Sequence, residues 1–599
     1  MLRRRALTKD GACHTRADHT NYMLRKGLRK RKVQDEMTLK TLKTRKLRLA
    51  SAAAVTAAAT AVMFAAAALP SASARSAHAA AGAVLTMESS PETAVTQDFN
   101  PFDQASGAYA MGVDSLIYEP LMQFDLAQPT HAPYYMIATA YKWGSGGTSI
   151  TFTIRSGVKF SNGSALTPTD VADTFTLLQN NADVNDAAIP ITGATVSGQD
   201  VTITFSSSQY TNLENIANTY IVPNAIWSTV GDPGKYVDAN PVGSGPYDFS
   251  SITAAGITLT ANPDYWGTVN VPTVEFPIYA SNTTVLSALT SNTLDWAGNF
   301  ITGLKAAFIT PSPSTHHDWF PGTQTNSIEP NLTKFPTDLL PVREAISLAI
   351  SRAKIGAIGE AGLEPPATNA SGLVLPGFAA DLATPLKAKK YQLSPNANPK
   401  AADAVLNKAG YKLKGGYYYD GSKEIKLTII DPAAYTDYAA DDAIIADDLK
   451  AAHLDATFDG LAVTAWSSDI ADGDFSLTQH WSNNGIVPYQ FYNGWLNSKL
   501  ITKPNSAGNF EQLSNKTIDK ELTKLSSQSS PSGQVKALTP LEEFVAKDLP
   551  IIPTVYGAAF DEYNSSDFSG WPTPSNPYES GQPGSPQNEI VVLHLTPTS

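Results

Sequence analysis

The 599-residue sequence has one cysteine, Cys13, and it stands ahead of an apolar segment near the N-terminus. The body from Ala80 onward has none. That excludes disulfides, thiolate catalysis, iron–sulfur clusters and cysteine-ligated zinc from the body. Histidine is also sparse there, at positions 131, 316, 317, 453, 480 and 594. No H-E-x-x-H occurs, so the helical zinc-hydrolase arrangement is absent. The adjacent His316 and His317 point to opposite faces of a strand, or about 100° apart on a helix, which does not suit one metal. Neither G-x-S-x-G nor G-x-x-x-x-G-K-S/T is present. Gly243-Ser244-Gly245, followed by Pro246, reads as a turn. No pair of carboxylates is singled out for glycoside hydrolysis. On these absences a non-catalytic chain, without cofactor or metal, is expected. Positive charge is the last scarcity: from Ala80 onward 26 Lys/Arg face 51 Asp/Glu, a net charge of −25. Nucleic acid and anionic membrane surfaces repel such a body.

The N-terminus has the opposite character. Residues 1–50 hold sixteen Lys/Arg and four Asp/Glu. Lys40, Lys43, Arg45, Lys46 and Arg48 precede Ala50–Leu69, 20 residues without a charge, and Pro70 with small residues follows. Basic region, apolar region and A-x-A sites together read as a secretory signal, with cleavage expected after Ala74 or Ala79. An uncleaved membrane anchor is the alternative, which the weak apolarity of alanine disfavours. Residues 1–36 lack periodicity and precede Met37, which reads as the natural start. No cysteine follows the apolar run, so a lipid anchor is not expected. The protein is expected to be exported, to the cell envelope, periplasm or exterior, and no second apolar run follows residue 80.

A hydrophobic content of 42% with 9% aromatics supplies real cores, and the length suits three or four domains. Helical and strand patterns alternate without a βαβ rhythm, which predicts mixed α/β with several sheets. Ser149–Arg155 alternates apolar and polar residues as a half-buried strand. Asn162-Gly163 turns, and Thr167, Pro168 and Asp170 predict a helix start ahead of Val171, Phe175 and Leu178. Val342, Ala345, Ile346, Ala349 and Ile350 form the stripe of a core-facing helix. In the predicted helix 440–453, Asp441, Asp442, Asp447 and Asp448 are read as a solvated face.

Taken in order, several motifs resemble one family. They are Phe99-Asn100-Pro101-Phe102, Ile117-Tyr118-Glu119-Pro120-Leu121, the stretch ITFTIRSGVKFSNGSALTPTDV from Ile150 to Val171, and Pro241-Val242-Gly243-Ser244-Gly245-Pro246-Tyr247. Asn262-Pro263-Asp264-Tyr265-Trp266, the helix Val342–Arg352 and Asp548-Leu549-Pro550-Ile551-Ile552-Pro553 complete the set. Together they resemble extracellular solute-binding proteins of family 5, the oligopeptide/dipeptide type that serves ABC importers. The resemblance implies an α/β, two-lobed, periplasmic-binding-protein-like (type II) fold with an additional inserted domain. Projected onto this chain, residues 82–125, 236–283 and 549–599 form the first lobe. Residues 126–235 form the inserted domain, and 284–548 the second lobe. It further implies a monomer that closes on a small solute, an oligopeptide or oligosaccharide, and hands it to ABC permease subunits. A secreted hydrolase and a nickel or haem carrier on the same fold are the rival readings.

For the ligand site the resemblance implies two extended segments, Ser106-Gly107-Ala108-Tyr109 and Gln479-His480-Trp481-Ser482, pairing with a peptide backbone. No carboxylate follows Trp481, where peptide binders commonly carry one for the ligand's ammonium, a bond worth about 1.5–3 kcal/mol. Asn483 and Asn484 offer amide donors and acceptors instead. Trp481 and Trp296, with Asn299 nearby, offer flat apolar faces in the manner of oligosaccharide-binding members. Tyr265 and Trp266 are read as packing residues, and Gly243 and Gly245 as backbone geometry at a domain crossing.

Overall fold

The structure is a computed structural model, which describes residues 82–598 apart from 93, 105, 376, 503–507 and 585. The apolar N-terminal segment, both cleavage positions and Met37 lie outside the described residues. Among the described residues, no helix is long and apolar enough to cross a membrane.

Two sheets carry the two lobes. In the first, the strand Val84–Glu88 lies parallel to Thr273–Pro277 on one side and to Trp296–Ala297 on the other. Gly256–Ala261 and Tyr247–Thr253 extend one edge, and Glu562–Asn564 and His316–Asp318 the other. The second sheet runs Asp455–Leu461, Lys426–Pro432, Leu477–Trp481, Gly322–Pro330, Ile552–Ala558. Its first three strands are parallel and its last three antiparallel. Every residue of Ile552–Ala558 is buried, so it reads as a continuous apolar run rather than an alternation. The helix Leu340–Ala349 covers this sheet with Val342, Ala345, Ile346 and Ala349, the stripe visible in the sequence.

The inserted domain is a four-stranded sheet built around Ser149–Ile154. Ile150, Phe152 and Ile154 are buried there, while Ser149, Thr151 and Thr153 face outward. The helix Pro168–Asn180 closes over them with Val171, Phe175 and Leu178. It begins where expected: the Asp170 carboxylate accepts the Thr167 backbone N–H at 2.9 Å and its hydroxyl at 2.7 Å. The capping pair offsets orphan donors of the first turn.

The expected lobe boundaries need correction at two places. Trp296–Ala297 and His316–His317 pair with Glu562–Asn564, so the chain from 284 to about 318 belongs to the first sheet. Ile552–Ala558 pairs with Gly322–Pro330, so the C-terminal return belongs to the second sheet until about 558. The motif spacing could not reveal this, because strand partners are chosen by long-range pairing and not by local pattern. The two strands Gly322–Pro330 and Ile552–Ala558 are thus the ones through which the chain passes between lobes.

Gly243 and Gly245 sit where the chain presses on the Leu116–Ile117 backbone. A Cβ at Gly243 would lie 1.9 Å from the Ile117 carbonyl oxygen, and one at Gly245 2.5 Å from that of Leu116. The Gly245 N–H uses this closeness, donating to the Ile117 carbonyl at 2.8 Å. Nearby, Tyr265 Oη and Trp266 Nε1 both donate to the buried Glu119 at 2.9 to 3.0 Å, and the Arg155 guanidinium lies 3.7 Å over the Trp266 ring. The pair Tyr265–Trp266 therefore packs the lobe and inserted domain together. A Gly243→Ala substitution should cost about 2–3 kcal/mol, as overpacking against fixed backbone does. Urea unfolding measures it.

Candidate ligand-binding site

The strand Leu477–Trp481 ends at the side of the second sheet from which the chain crosses to the first lobe. Trp481 pairs with Asn326, close to Gly322, the first residue of the crossover strand. Its ring remains 38% exposed although every residue from Leu477 to Gln479 is buried. Behind it the side chains form a stacked column. The His480 ring lies 4.1 Å from Trp481 at 22°, and Trp466 lies 5.9 Å from His480 at 13°. Phe510 meets His480 edge-on at 4.7 Å. On the other flank, Tyr435 and Tyr438 approach the Trp481 ring at 6.3 and 6.0 Å. The half-exposed aromatic face is thus held from behind and from the side.

His480 serves this column as a neutral ring. Its Nδ1 lies 2.7 Å from the Trp481 carbonyl oxygen, which only accepts, so Nδ1 carries the proton. Burial pulls the ring down to about 4. Beyond Trp481, Asn483 and Asn484 are exposed. The chain then reaches the inserted domain. The Ile486 N–H donates at 3.0 Å to Glu214, a buried carboxyl raised to about 7 by burial. Ser208 Oγ donates to the Ser526 carbonyl at 3.2 Å. These contacts clasp the inserted domain to the second lobe beside the platform.

Four of the expected site residues or segments take other roles. Ser106-Gly107-Ala108-Tyr109 is not extended. Ser106 caps the short helix Gly107–Ala110, its Oγ accepting the Tyr109 N–H at 3.1 Å. The N–H groups of Ala110 and Met111 close on Ser106 and Gly107, so this backbone cannot add a ligand strand. Trp296 is wholly buried in the first lobe. Its indole N–H is shared by Asp561 Oδ1 at 3.0 Å and the Gly581 carbonyl at 2.8 Å, and Trp571 packs against its ring edge. Asn299 is buried beside it and donates to Glu88. Ser482 is buried too. Its Oγ accepts the Thr325 N–H at 3.0 Å and its own N–H donates to the Thr325 carbonyl at 2.9 Å, which extends the sheet pairing by one residue. The sequence supplied an aromatic at position 296 but not its burial, which follows from its place in a central strand.

The aspartates of the helix Thr436–Ala451 also differ from expectation. Asp441, Asp442 and Asp448 are buried, and only Asp447 faces water. Asp448 is bonded by the Ser351 N–H and Lys354 Nζ, both at 2.8 Å. Asp441 accepts Gln479 Nε2 at 2.8 Å, which ties this helix to the Trp481 strand. Tyr435 and Tyr438, missed in the sequence, left one legible sign: two aromatics three apart at a helix start share a face.

Comparison with known proteins agrees with this architecture. Residues 132–502 match the family described as "Bacterial extracellular solute-binding proteins, family 5 Middle". The chain belongs to the bacterial extracellular solute-binding proteins of family 5. Among curated relatives, the glutathione-binding protein GsiB of Salmonella paratyphi A is 22% identical over 484 residues, covering 76% of this chain and 86% of that protein. The probable peptide-binding protein YejA of Agrobacterium fabrum is 30% identical over 210 residues, but the match spans only 34% of that protein and 32% of this chain. Among solved structures, the periplasmic oligopeptide-binding protein of a Thermotoga maritima oligopeptide ABC transporter superposes with a TM-score of 0.78 at 22% identity, covering 86% of this chain and 99% of that one. Its mannohexaose-bound form gives 0.72 at the same identity and coverage. The fold is therefore the two-lobed type II binding-protein fold.

Removing the Trp296 indole N–H by Trp296→Phe leaves the buried Asp561 short of a donor. The expected loss of stability is about 1–3 kcal/mol, measured by urea unfolding.

Proposed function

We propose that the protein is the solute-capturing component of an ABC importer, and that its ligand is a neutral polyhydroxyl solute, an oligosaccharide, laid against Trp481. The observation that carries this reading is the half-open Trp481 ring, backed by His480 and flanked by Tyr435 and Tyr438, with the exposed Asn483 and Asn484 two and three residues further along the chain. A sugar ring presents an apolar C–H face to such a surface and hydroxyls to the amides. A peptide is the other class named among the relatives. The helical Gly107–Ala110 segment offers it no strand edge on the first lobe, and no carboxylate directly follows Trp481. The mannohexaose complex of the Thermotoga maritima protein supports the reading at the level of the fold.

The work of such a protein is a population shift. Ligand touches both lobes only when they close, and that difference in contact free energy drives closure. The permease then recognises the closed form, and no covalent step is involved. Calorimetric titration with mannohexaose and with a blocked hexapeptide tests the assignment. Saturable binding of the sugar is expected, weakened about tenfold or more, roughly 1.4 kcal/mol, in Trp481→Ala. Unchanged affinity in that variant overturns the site. Binding of the peptide alone overturns the ligand class, and turnover of either overturns the transport reading.

A further inference from the structure

The second lobe encloses more acid than its donors account for. Asp431, Asp441 and Asp442 are fully buried, and Glu360 nearly so. The Oδ1 of Asp441 and the Oε1 of Glu360 meet no N–H or O–H donor, although these two carboxyls are hydrogen-bonded to each other. Neither oxygen of Asp442 meets a donor, and its carboxyl is bonded to that of Asp431. An ionised carboxylate only accepts. Two enclosed carboxyls bonded to one another therefore need a proton between them.

The groups around the pairs give no substitute for that proton. Glu364 and Asp437 face Asp441, Asp437 faces Glu360, and Glu329 lies near Asp431 with Glu511 beyond it. Tyr438, on the same helix, carries a neutral phenol pushed further up by burial and these acids. Arg352 and Lys354, a few residues before Glu360 in the chain, are engaged elsewhere. Arg352 donates to the Pro553 carbonyl at 2.7 Å and to Ser347, and Lys354 pairs with Asp448. His480 is neutral.

Both pairs are wired to the aromatic platform. Gln479, two residues before Trp481, donates its N–H to Asp431 and its Nε2 to Asp441, each at 2.8 Å. Thr478 Oγ1 donates to Asp431 at 3.1 Å and accepts Trp466 Nε1 at 3.0 Å, and Trp466 stacks under His480. Tyr438, one turn before Asp441 and Asp442, touches Trp481 itself.

We propose that Glu360–Asp441 and Asp431–Asp442 each hold one shared proton in the folded protein, and that these protons fasten the helix Thr436–Ala451 beneath Trp481, making the ligand platform proton-sensitive. The link to ligand rests on Trp481 lining the site; the proton content of the pairs does not.

The sign follows from the shifts. Burial, with the neighbouring acid, holds the proton of each pair far above the ordinary carboxyl range: Glu360 is raised to about 10 and Asp442 well above its usual value, against about 4 in the unfolded chain. The folded state then holds more protons than the unfolded one above pH 4. Stability is greatest on the acid side and falls as pH rises from about 4 toward 10, the interval from 6.5 to 8.5 included. Each shared proton lowers the folded-to-unfolded ratio about tenfold per pH unit in that window. His480 acts with the opposite sign, but only between about 4 and 6.5. The interval from pH 6.5 to 8.5 therefore isolates the carboxyls.

Urea unfolding of the wild type, Asp442→Asn and Glu360→Gln at pH 6.5, 7.5 and 8.5 tests the proposal. Each amide supplies a permanent N–H donor in place of the proton. Other buried carboxyls, such as Glu119 and Glu542, contribute equally to all three proteins. The ratio in each variant is expected to fall about tenfold less per pH unit than in the wild type, and to exceed it at pH 8.5. An equal loss at all three pH values, or failure of both variants to fold, overturns shared protons. The Trp481 contribution to fluorescence, taken as wild type minus Trp481→Phe, should shift over the same pH range. A flat Trp481 signal with the stability slopes intact overturns the coupling to the platform alone, and the titration with mannohexaose judges the ligand assignment separately.

Discussion

The antiparallel pairing of Gly322–Pro330 with Ile552–Ala558 is the constraint on which the rest of the molecule depends. Both strands carry the chain between lobes; Gly322–Pro330 lies inside the second sheet and Ile552–Ala558 is its last strand, buried throughout. Glu364 binds them together, accepting Asn326 Nδ2 from one and the Ala558 N–H from the other, each at 2.8 Å. The two crossings are thus tied side by side at one place. The same pairing fixes Trp481, because its strand is held in register against Gly322–Pro330.

Acid burial is the second theme. A body with about twice as many acids as bases has too few cations for all its enclosed carboxyls. The structure meets this with neutral donors: Tyr265 and Trp266 for Glu119, Trp296 for Asp561, the Ala383 N–H for Glu542. Where donors run out, carboxyls pair with each other. Burial then raises their protonation range, since desolvation disfavours the charged form. A protein so built keeps its interior neutral most easily on the acid side of neutrality.

Much of the architecture was legible in the sequence because it is local. The alternation of Ser149–Ile154, the capping residues Thr167 and Asp170 and the stripe from Val342 to Ala349 each reflect one element meeting one core. The glycines at 243 and 245 were read as serving backbone geometry, and the structure gives the reason, a close approach to the Leu116–Ile117 backbone. Trp481 was pointed to by the family resemblance and not by its local pattern. The site otherwise misread in one direction. Trp296, Asn299 and Ser482 are polar or amphipathic residues of the kind that face ligand, yet each spends its hydrogen bonds inside the protein. Residue type reports what a group can bond, not what has already bonded it.

By itself the sequence determined the family, the acidic cysteine-free body and the periodic elements, since composition and near-neighbour pattern are properties of the chain. Tertiary structure decided which sheet receives Trp296 and Ile552–Ala558, that Gly107–Ala110 is helical, and that Asp441 and Asp442 turn inward. These outcomes depend on partners hundreds of residues away or on which face of a helix another strand covers. A paired aspartate on a helix reads as a solvated face until Gln479 and Glu360 stand opposite it. The −25 of the body is thus a formal charge, and the fold decides how much of it is carried at a given pH.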